Sequence, residues 1–203
     1  MGGHEDQILD AVRDCVERWG PAKVTVDDVV AASGVSRATL YRLFPGGRDV
    51  LFEAYRVREL NEFFDTITAS LDQMDDSADV EDVVVQLVST ATRELRADDH
   101  LALLLAAEPG EVLTQLTVDG LPRILRVANS YIAPVLEPHL AIERAPLLID
   151  LLVRITISYF LAPSDHVDLG DTESARAFLR PGIAAVTSST TSTSPSPDPR
   201  SQT

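Results

Sequence analysis

Cysteine occurs once in the 203 residues, at position 15. One cysteine cannot close an internal disulfide, so a disulfide-stapled scaffold is excluded and a reducing compartment is expected. The start, Met1-Gly2-Gly3-His4-Glu5-Asp6, has neither the basic nor the apolar stretch of a secretory signal. The most apolar run, Leu147 to Leu161, is 15 residues long and carries Asp150 and Arg154. It is too short and too charged to span a bilayer. These absences predict a cytoplasmic location and no membrane partner. The four histidines, His4, His100, His139 and His166, lie far apart without ligand spacing, so no metal is expected. A nucleophile–base constellation and a phosphate-binding glycine loop are also missing, which predicts no cofactor and no enzyme. No stretch alternates polar and apolar residues as a half-buried strand would, so the chain reads as all-α.

Positive charge is scarce too: 17 Lys and Arg stand against 32 Asp and Glu, for a net charge of −15. That sum argues against nucleic acid, but the distribution does not. Residues 33–58 hold Arg37, Arg42, Arg48, Arg56 and Arg58 against Asp49 and Glu53, a local excess of three positive charges. Residues 61–203 carry an excess of 13 negative charges. Charges more than about 10 Å apart are largely screened at moderate salt. A basic patch can therefore engage DNA while the acidic remainder discourages non-specific contact.

Periodicity divides the chain into helices. Ile8, Leu9, Val12, Val16 and Trp19 mark an amphipathic helix over residues 6–19, ended by Gly20-Pro21. Cys15 and Trp19 are expected to pack in its core. Thr25 and Asp28 have the spacing of a capping box, with Asp in place of Glu, and open a second helix that stops at Ser33-Gly34. Ser36 caps a third helix, Arg37 to Phe44. Pro45-Gly46-Gly47 breaks the chain. A helix of more than twenty residues follows from Arg48 or Asp49, then an acidic loop from Asp72 to Asp79. Further helices are predicted at 80–97, 98–107, 109–118, 120–138, 144–162 and 172–186, with Pro134 and Pro181 inside two of them. Residues 187–203 are Ser, Thr or Pro at 14 of 17 positions and are expected to be disordered.

Two short helices joined at a glycine, the second carrying Arg37, Thr39, Tyr41 and Arg42, have the layout of a helix-turn-helix, which presents one helix to the DNA major groove. Residues 6–58 resemble the DNA-binding domain of the tetracycline-repressor (TetR) family of bacterial transcription regulators. The marks are Trp19-Gly20, the run from Val24 to Ala31, Ala32-Ser33-Gly34-Val35-Ser36, then Thr39 to Phe44, Pro45-Gly46-Gly47-Arg48-Asp49 and Val50-Leu51. The resemblance implies an N-terminal three-helix helix-turn-helix domain (1–48), a C-terminal helical ligand-binding and dimerisation domain (49–186) and the tail (187–203). It implies a homodimer that leaves its DNA when a small-molecule effector binds. By position, Arg37 reads a base and Ala38 meets a thymine methyl. Thr39 and Tyr41 face the groove wall, and Arg42 takes a phosphate or a base. Ser36 and Thr25 offer hydroxyls to phosphate. Arg48 stands one residue after the lysine that many members carry, and is expected to hold a phosphate in its place. Val29, Val30, Val35, Leu40 and Phe44 are expected to form the core behind.

A two-fold dimer predicts a palindromic operator in double-stranded DNA. The helix at 144–162 is apolar nearly all round, so it must be buried on several sides. With the helix at 172–186 it is the expected dimer surface, through Leu148, Leu152, Ile155, Tyr159, Phe178 and Leu179. Arg154, amid apolar neighbours, should need a partner, either Asp150 one turn away or a dimer or effector group. A hydrophobic or amphipathic effector is expected among helices 80–162, against Leu101, Leu105 and Ile132, with Arg93, Asn129 and Thr156 as polar contacts. The rival readings are an activator or an effector-free regulator, and a helical ligand-binding protein that no longer reads DNA. Arg37 and Arg42 argue against the last.

Overall fold

The computed structural model describes residues 2–75, 77–107 and 109–188. Among these the regular structure is entirely helical: α1 (Gly2–Trp19), α2 (Val26–Ser33), α3 (Arg37–Leu43), α4 (Arg48–Ala69), α5 (Val80–Ala97), α6 (Asp99–Ala107), α7 (Pro109–Leu113), α8 (Leu121–Leu136), α9 (Ala145–Leu161) and α10 (Thr172–Ser188). The predicted helix order holds. The tail expected to be disordered lies, from residue 189 on, outside the described residues.

Local chemistry explains the boundaries. Thr25 accepts the Asp28 amide at 3.3 Å, and the Asp28 carboxylate accepts the Thr25 amide at 2.8 Å. This reciprocal box opens α2 and contributes about 1 kcal/mol through its cap. Those hydrogen bonds also hold the Asp28 carboxyl below its ordinary range, the Thr25 hydroxyl contributing most. Asp79 and Asp82 repeat the device at the start of α5. α2 ends at Gly34 with φ +67°, a left-handed cap that glycine reaches without a Cβ penalty.

Two apolar cores stack along the molecule and share α4. The first gathers Ile8, Val12, Cys15 and Val16 of α1 with Val29, Val35, Leu40 and Phe44, and closes on Leu51, Phe52 and Tyr55 of α4. Leu40 is fully buried there, and truncating such a leucine costs about 2–5 kcal/mol. The second takes Phe64 and Ile67 from the far half of α4 and packs them with α5, α8, α9 and α10. The boundary expected at residue 48 therefore falls at the start of a helix that serves both cores. α4 is the mechanical link between them.

Three expectations need correction. Trp19 is not core: it is 42% exposed, with the Arg18 guanidinium 5.6 Å from its ring centroid. The first core is closed by α4 instead, which leaves the end of α1 outside. The segment 109–118 is not one α-helix: Thr114–Val118 widens into a π turn, in which the Asp119 amide donates to the Thr114 carbonyl at 3.0 Å. Arg154 is not buried: it lies on the outer side of α9 and donates to Asp150 at 2.8 Å, the intrahelical partner. No helix among the described residues is long and apolar enough to cross a membrane.

Candidate nucleic-acid interface and effector cavity

α3 is seven residues long, and its two sides are chemically opposite. Leu40 points into the core, while Arg37, Ala38, Tyr41 and Arg42 lie on the exposed side and Thr39 at its edge. Ser36 starts the helix by accepting the Thr39 amide at 3.2 Å, and its hydroxyl lies 3.0 Å from that of Thr39. The Arg37 guanidinium donates to Asp27 of α2 at 2.5 Å and sits 5.7 Å from the centroid of the Tyr41 ring. Both members of the ion pair are mostly solvated, so the pair is weak and can be exchanged for another acceptor. Tyr41 packs against Gly47, where a Cβ would come within 3.3 Å of its ring. Arg42 is exposed and has no partner among the described residues.

Arg48 is placed differently from expectation. Its Nε donates to the Val24 carbonyl at 2.9 Å and its Nη2 to the Pro21 carbonyl at 2.6 Å. The guanidinium also lies 4.3 Å from the Phe52 ring centroid. Its donors tie α4 to the α1–α2 loop rather than facing outward to a phosphate. An arginine that can reach orphan carbonyls satisfies them, and sequence position alone does not reveal that reach. Lys23, the chain's single lysine, is exposed in that loop two residues before Thr25 and has no side-chain partner among the described residues. A lone cation beside a candidate phosphate-binding hydroxyl is the signal for it in the sequence.

Behind the reading head lies a cavity of about 350 Å³. α4, α5, α6, α8, α9 and the π turn form its walls, which are mainly apolar. Of the expected effector contacts, Leu101, Ile132 and Thr156 line it. Arg93, Leu105 and Asn129 do not. Arg93 reaches out to the Gly170 carbonyl at 3.0 Å and the Thr90 hydroxyl at 3.1 Å. Asn129 donates to the Leu125 carbonyl of its own helix at 2.7 Å. On α6, Leu101 and Leu104 take the inward positions, and Leu105 stands beside them. At the end near the head the wall includes Phe52, Tyr55, Arg56, Glu59 and Arg123.

The residues expected at a dimer surface face the chain's own core. Leu148, Leu152 and Leu179 are buried, and Ile155, Tyr159 and Phe178 pack against that core, with the Tyr159 and Phe178 rings 5.1 Å apart. The two helices are nonetheless open on their other sides. α9 presents Leu147, 63% exposed, with Leu151 and Arg154 following at helical spacing. α10 presents the small residues Ala177, Pro181 and Ala184. On a helix that is apolar all round, periodicity cannot say which apolar side meets its own fold.

Comparison with known proteins agrees with this architecture. Residues 8–55 match the family described as bacterial regulatory proteins, tetR family. The HTH-type transcriptional regulator AlkX of Mycobacterium tuberculosis is 30% identical over 167 residues, covering 79% of this chain and 77% of that protein. Among solved structures, the TetR family repressor AlkX from Dietzia sp. strain DQ12-45-1b, implicated in biodegradation of n-alkanes, superposes with a TM-score of 0.66. It is 24% identical and covers 90% of this chain and 96% of its own. The transcriptional repressor QsdR of R. erythropolis gives a TM-score of 0.61 at 20% identity, covering 94% and 97% of the two chains. These two likenesses establish the fold. With the capped helix and the relative that matches over three quarters of both chains taken together, the chain belongs to the TetR family of DNA-binding transcriptional regulators, which are not enzymes.

Proposed function

We propose that this protein is a repressor that binds a palindromic operator as a homodimer and leaves it when a hydrophobic or amphipathic effector fills the cavity. The observation that carries the reading is the exposed side of α3, where Arg37, Tyr41 and Arg42 stand over a fully buried Leu40. Arg37 exchanges Asp27 for the O6 and N7 of a guanine, a bidentate geometry suited to its planar fork. Ala38 meets a thymine methyl. Thr25, Ser36, Thr39, Tyr41, Arg42 and Lys23 hold the flanking phosphates and fix the register. Arg48 serves from inside, by fastening α4 to the reading head. The dimer forms through the outer sides of α9 and α10, and sets two reading helices about 34–36 Å apart. The apolar cavity suits the hydrocarbon setting in which the Dietzia repressor is implicated.

Binding of the purified protein to DNA upstream of its own gene, and to a randomised library, tests this reading. A palindrome bound at nanomolar concentration is expected, with a salt slope that reflects roughly 6–10 phosphate contacts. If no sequence is preferred over random DNA, the repressor reading fails.

A further inference from the structure

Most polar groups in the cavity wall are already engaged. Glu59 accepts two hydrogen bonds from Arg13, at 3.0 and 2.6 Å. Asp98 caps α6 by accepting the Leu101 amide at 2.9 Å. Two arginines are different. Arg123 of α8, 15% exposed, donates from Nε and Nη2 to the two carboxylate oxygens of Glu53 on α4, at 2.7 and 2.5 Å. Its Nη1 has no acceptor among the described residues. Arg56 has the same Glu53 as its nearest acid, at 3.9 Å. Arg126 also contributes to the field at Glu53. Two guanidiniums, those of Arg123 and Arg56, thus share one carboxylate, and both residues border an apolar cavity. A guanidinium edge left without an acceptor beside apolar walls gains a partner when an anion joins it.

We propose that Arg123 and Arg56 seat the anionic head group of an effector whose apolar body fills the cavity, and that this head group draws Arg123 away from Glu53, unfastening the first turns of α4 from α8. The inference rests on the effector role of the cavity and adds its ligand class and its trigger. A carboxylate head is the like-for-like competitor of Glu53. It approaches from the cavity, whose wall includes Arg123, and a planar fork holds a carboxylate through two parallel bonds.

The position of Glu53 turns that competition into a signal. Glu53 follows Arg48 by five residues, about 7.5 Å along the helix. Arg48 binds the start of α4 to the loop between α1 and α2, and Glu53 binds the next turn of α4 to α8. Releasing Glu53 leaves the first turns of α4 fastened to the reading head alone, so the head gains freedom relative to the cavity domain. By linkage, the state without the Glu53–Arg123 pair binds the anion more tightly and the operator less tightly.

The test uses the full chain, a series of straight-chain carboxylates and the alcohols of equal length. Calorimetry reads binding, and release of operator DNA is followed in parallel. The expected result is a preference for carboxylate over alcohol of about tenfold or more, the scale of a charge-assisted hydrogen bond. Arg123→Gln should bring that ratio close to one. Glu53→Gln, which keeps the shape of its side chain, should tighten carboxylate binding and weaken operator binding before any ligand is added. Equal binding of carboxylates and alcohols overturns the head-group site but leaves the effector cavity standing. A preference that survives in Arg123→Gln also overturns it. If neither series binds a protein that still holds its operator, the effector role of the cavity fails, and this inference with it.

Discussion

Arg37 stands on the exposed side of α3, where the proposed function places a base-reading side chain. A guanidinium shared between Asp27 and the Tyr41 ring is already held along the outer side of α3, so on the proposed reading it would lose little freedom on meeting a base. Replacing it with alanine should reduce operator affinity about tenfold or more when its cognate base pair is present. Affinity for operators altered at that base pair should fall much less. The unfolding midpoint should hardly move, because the side chain packs against nothing in the core. Binding to an operator panel, beside a denaturation curve, checks both statements. The caps at Thr25 and Ser36 and the left-handed Gly34 were legible in the sequence because each depends on neighbours within a few residues. Arg48, Trp19 and Arg154 were not. Whether such a side chain turns inward or outward depends on elements distant in sequence, and a charge or a ring can stabilise either placement.

Helices were legible as elements because caps and breakers punctuate them, and α5 starts and ends where its pattern predicted. Their faces were harder to read. α9 has apolar residues on every side, so the pattern announced burial without saying against what. The structure assigns Leu148 and Leu152 to the chain's own core and leaves Leu147 and Leu151 on the outer side. If that outer side joins two copies, glutamate at 147 and 151 should yield a folded monomer with weak operator binding. A single half-site contact replaces two, and the steep concentration dependence of a dimer disappears. Sedimentation and far-UV circular dichroism distinguish this from unfolding. Glutamate at 148 should instead unfold the domain, since it places an unpaired charge in a filled core.

Across the whole molecule, acidic groups are held by arginines at joints between helices. Arg123 holds the Glu53 carboxyl below its usual range, and Arg96 does the same for Asp168. For Asp82 the Asp79 backbone amide contributes most, followed by Arg176. A carboxyl whose folded value is depressed stabilises the fold above its unfolded value, and that contribution is lost as pH falls through the folded one. Stability should therefore decline as pH drops below about 4, the ordinary carboxylate range. Arg123→Gln should flatten the decline by removing one linked group. Thermal unfolding of both proteins from neutral pH to pH 3 measures the difference. The net charge of −15 was legible from composition, as was its concentration away from the reading helix. The cavity was legible only as a region, because a void is a property of how helices fail to meet.

Gly120 gives that void an adjusting screw. A methyl group there would lie 1.6 Å from the Gln115 carbonyl oxygen, inside the π turn. Gln115 and Leu116 belong to the cavity wall. Gly120→Ala therefore cannot be absorbed by a side-chain rotation; the turn itself must step aside, and one wall of the chamber moves with it. The smallest substitution in the genetic code thus becomes a wedge. It should change which ligand sizes the regulator answers to while leaving its DNA-reading surface untouched, and an effector chain-length profile of the variant would show the chamber resized.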